Sequence, residues 1–223
     1  MSHKTVWAEF HCHSVYSKDS VMRLERLLQN AREKGIARLC ISDHDTIAGA
    51  LKAYKMDPEL VVVSEEVLTE SGELIAYFLK EEIPSGLPAL KTIELMKAQG
   101  AFINLPHPCD DYRSYWKPGQ LEEILPLVDA VEVFNARCFR SEFNERAMAL
   151  AKKWNKLEMV GSDAHSYAEV GLARMRLPDF HAAQELREGI PSARVQTKRL
   201  MPLAHIKEAG FVKLAKLISS KED

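Results

Sequence analysis

His11 and His13 stand one residue apart in the stretch EFHCHSVYSKDS, residues 9–20, at the end of the first apolar run. In an extended strand residues i and i+2 face the same way, so both imidazoles would be presented to one point, as a metal ion requires. Groups of the same chemistry recur along the chain. Asp19 follows a short loop; SDHDT supplies Asp43, His44 and Asp45; SEE supplies Glu65 and Glu66; LPHP supplies His107; EVFN supplies Glu132 and Asn135; and GSDAH supplies Asp163 and His165. Imidazole with carboxylate suits Zn²⁺, Mn²⁺ or Fe²⁺ without choosing among them. A purely structural zinc would more often be a closed, thiolate-rich site of four ligands. There are too many candidate ligands for one ion, so two or three ions sharing a carboxylate is the economical reading.

Each piece alone has a structural alternative. A single histidine is usually a surface or hydrogen-bonded residue, which is the reading for His3, His181 and His205. Asp45 or Thr46 could cap a helix, Glu65 and Glu66 could be a solvated strand end, and LPHP could be a proline-stiffened turn. The joint placement favours metal, because five of the eight histidines fall at predicted strand ends beside carboxylates. Cys12 should point away from its flanking histidines and Cys40 lies within a strand, so both read as core packing.

The elements that would position these groups alternate almost from end to end. Strands are predicted at TVWAEF, ARLCIS, LVVVS, ELIAYF, AFINL, AVEVF and LEMVG, several of them apolar without clean alternation, as in strands covered on both faces. Between them Leu24, Leu27, Leu28 and Ala31 mark one helical face that stops near Gly35, and Phe143, Ala147, Leu150 and Trp154 mark another. Repeated βα units predict an α/β fold with a parallel sheet. Barrels of parallel strands carry their chemistry at the C-terminal ends of the strands, so the candidate ligands would converge on one rim.

The 223 residues suit one domain spanning 1–223, closed by a helix over about 200–220 with Ile206, Phe211, Leu214 and Leu217 inward. A formal net charge of −2 with scattered cations predicts no footprint for duplex DNA. Four cysteines without a C-x-x-C pair suit reduced thiols. With no apolar leader segment in MSHKTVWAEF and no membrane-length run, the expectation is a cytoplasmic protein without membrane contact.

Taken together, the motifs resemble the PHP (polymerase and histidinol phosphatase) domain family across essentially the whole chain. EFHCH is similar to the family's D-x-H-x-H, Asp43-His44 to its D-H, SEE to its G-x-E, PHP at His107 to its H-P, and SDAH to its S-D-x-H. The resemblance implies a distorted (β/α)7 TIM-like barrel with a cluster of two or three divalent ions. Carried over, it places one ion on His11, His13, Glu66 and Asp163, a second on Glu66 and His107, and a third on Asp19, His44 and His165. Many members add a histidine to the second ion where this chain has Asn135, whose amide oxygen would have to serve. Glu9 replaces the usual first aspartate, in an orienting role, and Ile75 stands where several members have a histidine.

This leads to metal-assisted hydrolysis of a phosphoester, with metal-activated hydroxide attacking phosphorus in line. The expected catalytic residues are Glu66, Asp163 and His165. Arg113, Arg137 and Arg140 are the candidates to orient phosphate, with Lys18 and Lys117 behind them. A small phosphoester or short oligonucleotide is the expected substrate. A barrel amidohydrolase and a non-catalytic metal-binding module are the rival readings.

Overall fold

The computed structural model describes residues 4–113, 116–117 and 119–200. The closing helix expected over about 200–220, like His3 and His205, lies outside the described residues but for Leu200.

The chain runs β1 (Thr5–Cys12), α1 (Leu24–Glu33), β2 (Ile36–Ile41), α2 (Ala48–Met56), β3 (Val61–Leu68), β4 (Glu73–Tyr77), α3 (Ala89–Ala98), β5 (Phe102–Leu105), α4 (Gln120–Ile124), β6 (Ala130–Asn135), α5 (Ser141–Lys153), β7 (Leu157–Gly161), β8 (Ala173–Pro178), α6 (Ala183–Gly189) and β9 (Arg194–Thr197). The strands form one sheet in the order β7-β6-β5-β4-β3-β2-β1-β8-β9. This is a nearly closed, barrel-shaped sheet of the TIM-like kind. Closure comes just past β7, where Ala164 N–H donates to His11 O (3.2 Å) and His13 N–H donates to Ala164 O (2.9 Å). The two histidines therefore sit on the seam of the barrel.

The helical periodicity of α1 holds: Leu24, Leu27, Leu28 and Ala31 are buried, and burying each leucine contributes roughly 1.5–3 kcal/mol. The helix ends just before Gly35, which adopts φ +71° as a left-handed turn residue can without a Cβ penalty. Inside the barrel Phe10 stacks on Phe180 at 5.8 Å and meets Tyr77 edge-on at 5.9 Å. The Tyr77 hydroxyl donates to Phe10 O at 3.1 Å.

Two features depart from an all-parallel barrel. β4 is antiparallel to both β3 and β5, joined to β3 by a short hairpin with no intervening helix. Glu73 at its start consequently lies on the same rim as the C-terminal ends of its neighbours. The chain also returns through β8, antiparallel to β1, and β9. β8 is not among the predicted strands; it is half-buried, with Ala173, Met175 and Leu177 buried and the arginines between them turned outward. Among the described residues no helix is long and apolar enough to cross a membrane.

Candidate metal centre

At the rim the ends of β1, β3, β5 and β7 bring His11, His13, Glu66, His107 and Asp163 together, and the loops after β1, β2 and β7 add Asp19, His44 and His165. Glu66 is the hub. Its Oε2 lies 3.2 Å from His11 Nε2, 3.3 Å from His13 Nε2 and 3.2 Å from His44 Nδ1, while Oε1 lies 3.1 Å from His107 Nε2. Asp163 Oδ1 stands 3.4 Å from His13 Nε2 and 3.8 Å from His11 Nε2. Asp19 Oδ2 bridges His165 Nε2 (3.1 Å) and His44 Nε2 (3.4 Å). Overlapping triads of donors, such as His11–His13–Asp163 and His13–His44–His165, lie within 4.8 Å of one another.

The hydrogen bonds on the far side of the rings decide which nitrogen each presents. Ser17 Oγ donates to Asp43 Oδ1 at 3.0 Å, so it accepts from His13 Nδ1 at 3.2 Å. His13 Nε2 is left as a bare lone pair aimed between two carboxylates, buried and without a hydrogen bond. His11 Nδ1 donates to Glu132 Oε1 at 2.9 Å and His165 Nδ1 to the Asp163 carbonyl at 2.8 Å, which likewise turns Nε2 inward. Histidines that ligate metals are held in this way, by donating the other ring N–H to a carboxylate or carbonyl. Lone pairs facing carboxylates repel unless a cation stands between them, so the donor set fits divalent ions.

In the metal-free chain protons on the rings offset the carboxylates: against its burial, Glu66, Glu132 and Asp163 hold His11 well above the ordinary imidazole range, whereas His13 goes the other way. Burial together with the charges of His165 and His44 pushes His13 well below its ordinary pKa, keeping it neutral. Burial alone would raise Glu66 and Asp163, yet His11 and His44 around Glu66, and Arg113 and His11 around Asp163, hold both well below the carboxylate range. Burial alone would lower His44, but Glu66 and Asp19 bring it up to about 10. Strain is concentrated here too: His107 has φ 27° and Asp163 φ 53°, each costing roughly 1–3 kcal/mol in a residue with a Cβ.

The outer contacts explain the remaining motif residues. Asp43 faces away from the cluster and accepts from Ser14 and Ser17, and Asp45 accepts Leu68 N–H. Glu65 also points away, taking Ile83 N–H at 2.9 Å. Burial pushes the Glu65 carboxyl up to about 8. Glu9 accepts the N–H groups of His11, Ser162 and Gly171 and so ties β1 to the end of β7. Burial outweighs these bonds and raises it to about 7.

Asn135 differs from expectation. Its amide nitrogen donates to Glu132 Oε2 (2.9 Å) and Asp163 Oδ2 (3.2 Å), and its oxygen is occupied by Arg137 N–H at 2.9 Å. Two neighbouring carboxylates dictate that orientation, which turns the NH₂ rather than the oxygen toward Asp163.

The cluster opens into a cavity of about 290 Å³ whose wall includes Asp19, Glu73, His107, Arg113, Arg137 and Asp163. A larger cavity of about 510 Å³ lies against Val61, Val62, Val63 and Phe180 and holds none of the cluster residues. Of the candidate cations, Arg113 pairs with Asp163. Arg137 pairs with Glu169 through Nη1 at 3.6 Å, and its buried Nε and Nη1 make no closer hydrogen bond. Arg140, Lys18 and Lys117 are exposed and do not line the cavity. The expectation that Arg140 orients phosphate is thus corrected: it precedes α5 with its side chain in solvent.

Three contributors went unassigned in the sequence. Glu132 was noted without a role, yet it holds both the His11 ring and, at 3.0 Å, the His107 N–H. Glu169 accepts the N–H groups of His165 and Ser166. Glu73 reaches within 3.8 Å of His107 Nε2.

A family model described as the PHP domain matches residues 9–60, and one described as PHP-associated matches residues 141–195. Uncharacterized protein MJ0417 of Methanocaldococcus jannaschii is 37% identical over 177 residues, covering 78% of this chain and 71% of that protein. A two-domain protein of Bacteroides vulgatus, containing a predicted PHP-like metal-dependent phosphoesterase, superposes with a TM-score of 0.73 at 17% identity. That match covers 87% of this chain and 65% of the Bacteroides one, so this chain spans just under two thirds of its length. PsfC of Pseudomonas syringae superposes with a TM-score of 0.71 at 15% identity, covering 95% of this chain and 99% of PsfC. At these identities the two structures bear on the fold alone.

Proposed function

This chain belongs to the PHP domain family, and from that premise and the geometry of the rim we propose that it is a metal-dependent phosphoester hydrolase. Its substrate is a small phosphoester or a short oligonucleotide. The observation that carries the reading is the meeting, in one cavity, of inward-turned histidine nitrogens around buried carboxylates with the guanidinium groups of Arg113 and Arg137. A cavity built for cations on one wall and an anion on the other suits a phosphoryl group.

Two or three ions would be held, by His11, His13, Glu66 and Asp163, by Glu66 with His107, and by Asp19, His44 and His165. Zn²⁺, Mn²⁺ and Fe²⁺ all suit such donors. When bound, such ions acidify water and neutralise charge on the phosphoryl oxygens. The chain's own residues do the rest. Glu66 divides its two oxygens between the His107 side and the His11, His13 and His44 side, fixing their spacing. Asp163 and His165 complete the opposite wall, and with Glu66 they are the residues on which turnover depends. Arg137 binds and orients the phosphoryl oxygens, and Arg113 supplies further positive charge while paired with Asp163. A cavity of about 290 Å³ suits a phosphoryl group on a small or single-stranded substituent better than duplex DNA. The four free cysteines suit a reducing, cytoplasmic compartment.

The test is phosphate release from a phosphomonoester, a phosphodiester and a nucleoside 3′,5′-bisphosphate, with an amide panel alongside, using Mn²⁺-reconstituted and chelator-treated protein. Chelator-sensitive hydrolysis of a phosphoester is expected. Turnover of amides alone would make the protein an amidohydrolase, and full metal loading without turnover of any substrate would favour a non-catalytic module.

A further inference from the structure

Glu73 is the one carboxylate of the cavity wall that neither the sequence motifs nor the matched ligand pattern accounts for. It opens β4, and because β4 runs antiparallel to its neighbours its first residue, not its last, reaches the rim. Its side chain is mostly buried, with 19% exposure. Yet no hydrogen-bond donor among the described residues engages its carboxylate, which stands 3.8 Å from His107 Nε2, and one ligand atom each of Glu73, Glu66 and His44 lie within 4.8 Å of one another.

The spacing says what it faces. Glu73 Oε2 lies 3.8 Å from His107 Nε2, too far for a hydrogen bond. Ligands around one tetrahedral ion with bonds of about 2.1 Å stand about 3.4 Å apart. The 3.1 Å between His107 Nε2 and Glu66 Oε1 and the 3.8 Å to Glu73 bracket that value. The His107 ring is itself aimed, its strained backbone held by the bond from its N–H to Glu132. Asn135, the other residue that could serve this ion, turns its oxygen to Arg137 N–H and its NH₂ toward Asp163.

We propose that Glu73 is a ligand of the ion shared by Glu66 and His107, in the part expected of Asn135. The resulting set of two carboxylates and one imidazole is oxygen-rich and suits Mn²⁺. The inference rests on the metal-binding part of the proposed function and is independent of which ester is cleaved.

The experiment titrates chelator-stripped wild type, Glu73→Gln and Asn135→Ala with Mn²⁺ by calorimetry and counts retained ions by elemental analysis after desalting. Glu73→Gln should lose one ion per chain, or bind one step more than about tenfold more weakly, with the other steps unchanged. Asn135→Ala, which removes a bond to Asp163 but no donor to this ion, should retain the wild-type number of ions per chain, and Glu73→His, which restores a donor, should recover the lost ion. Wild-type stoichiometry and affinity in Glu73→Gln would overturn the proposal, as would loss of the ion in Asn135→Ala. Should Glu73→Gln fail to fold, Asn135→Ala and Glu73→His still decide between the two residues. A wild type that loads fully but cleaves no ester would overturn the proposed function and leave Glu73 as a ligand; a wild type that binds no Mn²⁺ would overturn both.

Discussion

Replacing Glu132 by glutamine tests whether the far side of the histidine shell governs metal binding. Glu132 Oε1 accepts from His11 Nδ1 at 2.9 Å, while Oε2 accepts from His107 N–H at 3.0 Å and Asn135 Nδ2 at 2.9 Å. All three partners donate, and only a carboxylate accepts with both oxygens. If the new amide turns its oxygen toward His107 and Asn135, its NH₂ confronts His11 Nδ1, and the imidazole proton must move to Nε2. That nitrogen faces Glu66, and once protonated it has no lone pair for an ion. If the amide turns the other way, its NH₂ meets two donors. The first arrangement removes the lone pair an ion needs and the second leaves buried donors unsatisfied at a cost of about 1–3 kcal/mol; either predicts the roughly 10–100-fold loss of affinity expected when a metal-bound histidine loses its orienting partner. Competition against a fluorescent chelator measures that affinity, and the imidazole ¹⁵N shifts of His11 report its tautomer. Unchanged affinity together with a wild-type His11 tautomer would refute the reasoning.

Three further outcomes follow from single contacts. Arg137→Gln should raise KM by roughly tenfold or more, since a hydrogen bond to a charged group contributes about 1.5–3 kcal/mol, while elemental analysis shows unchanged metal content; an unaltered KM would remove Arg137 from phosphate binding. A Cβ at Gly161 would collide with Glu132 Oε1 and crowd the His11 Cβ, so Gly161→Ala should lower stability by about 1–3 kcal/mol in urea denaturation and weaken metal binding as well. Glu65 is raised to about 8 from 4.5 by burial, so the folded chain holds its proton more tightly than the unfolded one. Its contribution is harmless below about pH 4.5 and becomes increasingly destabilising up to about pH 8, approaching on the order of 4 kcal/mol. Glu65→Gln should therefore gain stability over wild type as pH rises from 5 to 8 in metal-free denaturation; equal gains at both ends would contradict the shift.

The parts of the site written as short motifs at strand ends were legible because a parallel strand delivers its last residues to one rim. His11 and His13 follow from the two-residue repeat of a strand, and His44, Glu66, His107, Asp163 and His165 from the positions where apolar runs stop. Glu73 was hidden by the same rule, since a reversed strand brings its first residue to the site and nothing in ELIAY announces reversal. Glu132 and Glu169 act through backbone N–H groups and ring nitrogens of other segments, contacts that exist only once the barrel closes. The amide of Asn135 is turned by Glu132 and Asp163 together, one three residues back and the other just past the end of the next strand. Arg140 and Arg137 are equivalent in composition, but only the side chain of Arg137 lies over Glu169 at the cavity wall. β8 and β9 lay outside the seven predicted strands: β8 is short and alternates, and β9 is exposed along its length with no buried face to mark it.

The most direct test of the metal-centred account is hydrolysis measured while Mn²⁺ is returned stepwise to chelator-stripped protein. The account predicts negligible turnover in the stripped chain and a rise that saturates at two or three equivalents per chain, absent in His13→Ala and Asp163→Ala at every equivalent. Full turnover by the stripped chain, or equal rates in those variants while folded, would contradict it.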